Sequence, residues 1–212
     1  MPTDDYYHHP RPEMAALLPA DARRILDIGC GAGRFAGDLK ERHGLEAWGI
    51  ELDETAAARA GERLDRVLCG DAGEQLHRLP AAHFDVVYLN DILEHLVDPE
   101  PVLRDVAAKL APGGRVIASI PNVRHFPHLW QLVVHGRWEY EDEGILDRTH
   151  LRFFTRSSML AMFARCGYRV ERCQGIHPTR SARFRLFNLV TLGLGAEMRY
   201  LQFALVATPL TT

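Results

Sequence analysis

A three-layer α/β sandwich built on a mostly parallel sheet is the fold that this sequence predicts, and three features predict it. Over roughly the first 120 residues, short apolar runs alternate with segments whose apolar residues recur every three to four positions, as in strand–helix–strand units. The first run leads straight into "ILDIGCGAG", residues 25–33, where three glycines stand at alternate positions behind a single aspartate. A later run, "FDVVYLND", is apolar almost throughout, as in strands that a parallel sheet buries on both faces.

Taken in order, "RRILDIG" reads as the first strand and "GRFAGDLKERHG" as a helix with Phe35, Ala36 and Leu39 on one face and Gly44 as its stop. "LEAWGIELD" is the second strand, followed by a helix through "ETAAARAGERL". "RVLCGD" is a short third strand that leads into a loop, and "FDVVYLND" is the fourth. Leu103, Val106, Ala107 and Leu110 form a helical stripe, which "PGG" ends before a fifth strand, "RVIASIP". Residues 121–154 then break the alternation with a stretch rich in aromatics, histidine and arginine, too long for a plain connection and expected to be an inserted cover. Thr155 caps a helix through "RSSMLAMFARCG", and "YRVERCQ" and "YLQFALVAT" supply two last strands.

Composition limits the function classes. The 212 residues, 47% of them hydrophobic, suffice for one well-buried domain, expected to span 1–212. A net charge of -3 gives no global basic field for nucleic acid or a membrane. The longest apolar stretch, Leu186–Ala196, is too short to span a bilayer, so no integral membrane association is expected. Cys30, Cys69, Cys166 and Cys173 form no CxxC pair, and the first residues lack a cationic segment followed by an apolar core. Reduced thiols and a cytoplasmic location are the expectation.

The glycine loop is the strongest functional signal. In a doubly wound sheet the ligand crevice lies at the carboxyl ends of the strands, where the strand order reverses. Glycines there permit positive φ and remove Cβ atoms between backbone and ligand, and the amides at the next helix start receive polar or anionic groups. A nucleoside-bearing ligand fits this description. The dinucleotide fingerprint G-x-G-x-x-G fits poorly, since Gly29, Gly31 and Gly33 alternate and Arg34 stands where the last glycine belongs. Glu51, about twenty residues past the loop, is spaced to reach a ribose diol. Asp71 follows the third strand, placed to meet an adenine amino group.

These residues carry a resemblance. "LDIGCGAG", "GIELD", "GDA", "FDVVYLNDILEHLVDP" and "LAPGGRVIASIPN" occur in the order of the motifs of class I S-adenosylmethionine-dependent methyltransferases, to which the chain is similar over nearly its whole length. The resemblance implies a Rossmann-like sheet of seven strands with the last one antiparallel, and S-adenosyl-L-methionine as cofactor. It implies that Asp27, Gly29, Gly31 and Gly33 line the methionine portion and that Glu51 binds the ribose hydroxyls. Asp71 and Ala72 would flank the adenine, and Asn90 would lie beneath the sulfonium. Residues 1–22 would form an N-terminal cap with Tyr6 and Tyr7 against the cofactor. "IPNVRH", "GRWEYEDEGILDRTHLRFFT" and "CGYRV" further resemble the branch found alongside glycan and polysaccharide assembly enzymes, with a weaker likeness to an accessory protein of methionine biosynthesis.

The acceptor is expected to be a small molecule, a hydroxyl of a sugar or of a nucleotide-linked or lipid-linked glycan precursor. A poor nucleophile of that kind needs a base within hydrogen-bond reach. His150 is the first candidate and His95 the second, with Asp147 in "DRTH" as a group that orients His150 or its neighbour Arg148. Read blandly, His95 is a capping or core histidine, and Asp147 forms a salt link that holds the cover. The aromatics from Phe126 to Tyr140 are expected to exclude water from the reaction. His125, His128, His135 and His150 lack the spacing of a metal site, and no metal is expected. Arg180, Arg183 and Arg185 read either as a phosphate grip or as a solvated face. Two other functions stay open: a non-catalytic cofactor-binding subunit that regulates a partner enzyme, and a quinone-precursor methyltransferase.

Overall fold

The computed structural model describes residues 11–210, and Tyr6 and Tyr7 lie outside the described residues. Seven strands form one sheet: β1 (Arg24–Ile28), β2 (Glu46–Glu51), β3 (Arg66–Cys69), β4 (Phe84–Asn90), β5 (Leu110–Pro121), β6 (Tyr168–Pro178) and β7 (Tyr200–Pro209), in the order β3-β2-β1-β4-β5-β7-β6. The first five are parallel, and β7 runs antiparallel to both β5 and β6. The order reverses between β1 and β4, which opens a crevice at their carboxyl ends.

β1 shows why the sheet is buried on both faces. Leu26 and Ile28 point into one apolar cluster with Val87, Leu89, Leu103 and Phe163, while Ile25 joins Met14, Ala36, Leu39 and Ile117 in the other. Asp27 lies on the second face at 3% exposure. The helices are α1 (Pro12–Ala15), α2 (Arg34–His43), α3 (Glu54–Gly61), α4 (Ala72–Leu76), α5 (Pro99–Lys109), α6 (Phe126–His135), α7 (Arg156–Arg165) and α8 (Ala182–Val190), of which α6 and α8 pack on each other in a cluster apart from the sheet's two. Their starts follow local chemistry: Asp53 accepts from the Ala56 amide, Asp71 from that of Glu74, and Thr155 and Ser158 form a reciprocal capping box.

Three differences from the sequence reading concern local elements. The loop after β3 contains α4, which Asp71 nucleates. The cover contains a full helix, α6, ended by Gly136 with φ 63°. The connection from β6 to β7 holds α8 and a 3₁₀ turn, Ala196–Arg199, where the sequence had suggested only an arginine run and an apolar stretch. Ser181 caps α8 through the Phe184 amide, and Phe184 and Phe187 pack on Phe126 with ring centroids 5.5 and 5.2 Å away. That contact is invisible to local periodicity.

Candidate active site

The crevice between β1 and β4 opens into a cavity of about 300 Å³. One wall is the glycine loop. Gly29 and Cys30 both donate to the Ile50 carbonyl, at 2.8 and 3.1 Å, so the turn is pinned to β2. Gly29, Gly31 and Gly33 all have positive φ, of 74°, 54° and 71°. Gly29 and Gly31 line the cavity. Gly33, expected on the same wall, does not: a Cβ there would meet Ala60 at 3.0 Å, so this glycine lets the loop pack on α3 and starts α2.

Glu51 explains how the loop is held. One carboxylate oxygen accepts from the Gly31 amide at 2.7 Å and the other from the Asp53 amide at 3.0 Å. Glu51, Asp71 and Ala72 are not on the cavity wall. They follow β2 and β3 along the same rim, and Asp71 spends one oxygen on its helix cap.

Asp27 and Asn90 lie at the carboxyl ends of the two central strands and line the cavity, and each has a buried side-chain Oδ1 with no hydrogen-bond partner. Burial pushes the Asp27 carboxyl up to about 7; the Arg11 guanidinium opposes this and Glu51 adds to it. Orphaned acceptors of this kind call for donors on a ligand. A cationic ammonium and a polar nucleoside supply them, so the residues fit the expected cofactor.

The opposite wall comes from the turn after β4 and from the cover. Asp91, at φ 51°, accepts from Arg11, from Ser119 Oγ at 2.9 Å and from Gln202 Nε2 at 3.0 Å, which ties β4, β5 and β7 together. The Glu94 carbonyl accepts from the Leu151 and Arg152 amides at 2.8 and 3.0 Å, and this fastens the cover beside the turn. His150 is thereby brought against His95, ring centroids 4.7 Å apart. His150 Nδ1 lies 3.0 Å from the Ile145 carbonyl, and only a protonated Nδ1 makes that bond, so in the neutral ring Nε2 is the acceptor. His95 Nδ1 lies 3.0 Å from Thr149 Oγ1, which itself donates to Asp147 at 2.6 Å. Asp147 therefore positions His95 through Thr149, not His150 as the "DRTH" string suggested, and Arg148 pairs with Asp142 instead.

Glu94 escaped the sequence reading. It is 1% exposed, both carboxylate oxygens lack partners, and desolvation pushes it up to about 8. Its one sequence signal is a carboxylate inside the otherwise apolar run "DILEHLVD" after a strand. Glu94, His95 and His150 bring one ligand atom each within 4.8 Å of one another. The four spaced histidines gave no such expectation, because the cluster joins two segments over 50 residues apart. The His95 imidazole is shifted down by burial and by His150, which favours its neutral form.

The cover's aromatics are placed differently from expectation. Besides Pro121 at its start, its cavity-lining residues are Glu143, Gly144, Ile145 and His150, whereas Phe126 and Trp130 pack against α8. Water exclusion thus falls to the 143–150 loop. No helix among the described residues is long and apolar enough to cross a membrane.

Comparison with known proteins agrees with this geometry. Residues 4–172 match the model of a family described as "Methyltransferase domain". The ubiquinone biosynthesis O-methyltransferase of Aeromonas salmonicida is 30% identical over 84% of this chain and 74% of its own length. The 27-O-demethylrifamycin SV methyltransferase of Amycolatopsis mediterranei is 36% identical, but over 49% of this chain and 40% of its own length. Among solved structures, a SAM-dependent methyltransferase from Archaeoglobus fulgidus superposes with a TM-score of 0.71 at 21% identity, covering 96% of both chains.

Proposed function

This chain belongs to the methyltransferase-domain family, and on that premise we propose that it methylates a phenolic hydroxyl of a small aromatic acceptor of the quinone-precursor type. The enzyme is an S-adenosylmethionine-dependent methyltransferase. One observation carries the proposal: a single cavity is lined by the glycine loop and Asp27 and also by Glu94 and His150, with His95 clustered behind these two.

When bound, S-adenosylmethionine supplies a methyl group on a sulfonium. Asp27 meets the ammonium of the methionine portion, Glu51 holds the loop that receives it and lies at the ribose rim, and Asn90 offers its carboxamide at the end of β4. His150 Nε2 takes the proton of the acceptor hydroxyl. A phenol, with an ordinary pKa of about 10, loses that proton to an imidazole far more readily than a sugar hydroxyl does. Phe35, Pro121, Ile145 and Leu201 supply the apolar lining an aromatic ring requires. Two named relatives methylate oxygen, and one serves ubiquinone biosynthesis, which favours the phenolic acceptor over the sugar acceptor expected from the cover.

A second reading rests on the unpartnered oxygens of buried Glu94. A divalent cation held by Glu94, His95 and His150 would polarise the same hydroxyl, and the carbonyl and hydroxyl partners on the two Nδ1 atoms are the outer partners that metal-bound imidazoles need. Incubation with labelled donor and a panel of catechols, other phenols and nucleotide sugars, with and without chelator, tests both. Transfer to a catechol is expected. Transfer confined to sugars overturns the phenolic acceptor, and activity indifferent to chelator and to added Mg²⁺, Mn²⁺ or Zn²⁺ removes the cation.

A further inference from the structure

The segment between β6 and β7 holds features that the reaction does not use. On α8, Phe184 and Phe187 face inward, while Leu186, Leu189 and Val190 occupy the opposite face at helical spacing. Leu192 and Leu194, in the turn that follows, are 92% and 87% exposed. Five large aliphatic side chains thus stand in solvent within nine residues, and Val133 and Val134 at the end of α6, a helix whose start packs on α8, are exposed as well. Such a density of exposed apolar groups marks a surface that is covered in use.

Charge indicates what covers it. Arg183 and Arg185 flank the aliphatic stripe of α8, and Arg180 precedes the helix. The first turn of α8 carries no acidic residue, so its positive end is reinforced instead of balanced. Beside the stripe lies a second cavity, lined by Arg180, Arg185, Asn188 and Arg199 among others. None of the three arginines has an ion-pair partner among the described residues, and Asn188 keeps a buried, unpartnered Oδ1 that would accept from a head-group hydroxyl. Glu197, the acid nearest in sequence to Arg199, is already paired with Arg156.

We propose that this segment is a docking surface for an anionic phospholipid bilayer, with the arginine-lined cavity taking lipid phosphate and the α8 stripe and Leu192–Leu194 entering the acyl boundary. An apolar stripe with cations on both edges is the arrangement of helices that lie in the plane of a membrane interface. A second copy of the chain fits less well, because a twofold contact through this face would set two arginine runs against each other. The proposal is independent of the acceptor assigned above.

Co-sedimentation of the full chain with phosphatidylcholine vesicles, with and without phosphatidylglycerol, provides the test. Binding is expected to the anionic vesicles only and to weaken in high salt. Arg180→Ala/Arg185→Ala/Arg199→Ala should raise the lipid concentration for half-binding roughly a hundredfold, from about 1 kcal/mol for each basic residue at a charged surface. Leu189→Asp/Leu192→Asp, at exposed positions, should raise it at least about tenfold while leaving turnover of a soluble acceptor unchanged. Wild-type protein that stays in the supernatant, or variants that bind as it does, would overturn the proposal. So would a lipid-free dimer dissociated by Leu189→Asp/Leu192→Asp, which makes the face a self-interface. Glycerol phosphate binding in calorimetry without vesicle binding reassigns the cavity to a soluble phosphate and also overturns it.

Discussion

The two walls of the cavity are assembled on opposite plans. The glycine-loop wall is local: β1, its turn and the start of α2 lie within twenty consecutive residues, and the shape comes from backbone dihedrals and amides. The facing wall is non-local: Glu94 and His95 meet His150 across more than fifty residues, through side chains held by carbonyls and a threonine. A wall of the first kind fixes where a shared cofactor portion lies. One of the second kind is free to change its chemistry without disturbing the sheet.

His150→Ala separates the two walls most sharply. Turnover should fall by roughly 10² to 10⁴, the range for loss of a general base, while calorimetry shows S-adenosylhomocysteine affinity unchanged. An equal loss of cofactor affinity would mean that the walls are not independent. Gly33→Val attacks the other side. Its side chain meets Ala60 and Leu64 at 3.0 to 3.2 Å in a left-handed backbone, so a loss of about 3 kcal/mol and a fall in Tm of roughly 6 to 12 °C are expected in a thermal melt.

Asp27→Asn sharpens the comparison through pH. In the fold the Asp27 carboxyl holds its proton up to about 7, above its ordinary value of 3.8, whereas the unfolded chain releases it near that lower value. The ligand-free protein therefore loses stability as pH rises from about 4 through about 7, and the loss should be smaller in Asp27→Asn. At pH 8 the same substitution should weaken S-adenosylhomocysteine about tenfold, since a charge-assisted contact is removed. The smallest effect belongs to Arg148→Ala, which breaks an exposed pair with Asp142 and should change stability by less than about 0.5 kcal/mol. A large effect there would show that the cover depends on its outer charges.

Legibility in the sequence follows the same division. The five parallel strands and the glycine loop after β1 were readable because each depends on neighbours within one turn or one strand. Gly33 was read as part of the ligand loop, and its close packing against Ala60 was not legible, because only the folded position of α3 reveals it. Glu94 and the route from Asp147 through Thr149 to His95 were hidden, since each needs the cover folded back onto the turn after β4. α8 was missed because its inward phenylalanines pack on Phe126, nearly sixty residues earlier, and its outer face is apolar, so the usual polar–apolar contrast is blurred.

The place of β7 has a consequence for how the protein is made. Among the described residues its strand follows all the others along the chain, yet it sits between β5 and β6 and is the only partner of β6 in the sheet. During synthesis, which proceeds at about 5 to 20 residues per second, two backbone edges must therefore wait unpaired until residues 200–209 emerge. Leu201 and Gln202 also belong to the cavity wall, so a nascent chain halted before them has the first five strands but no completed reaction chamber.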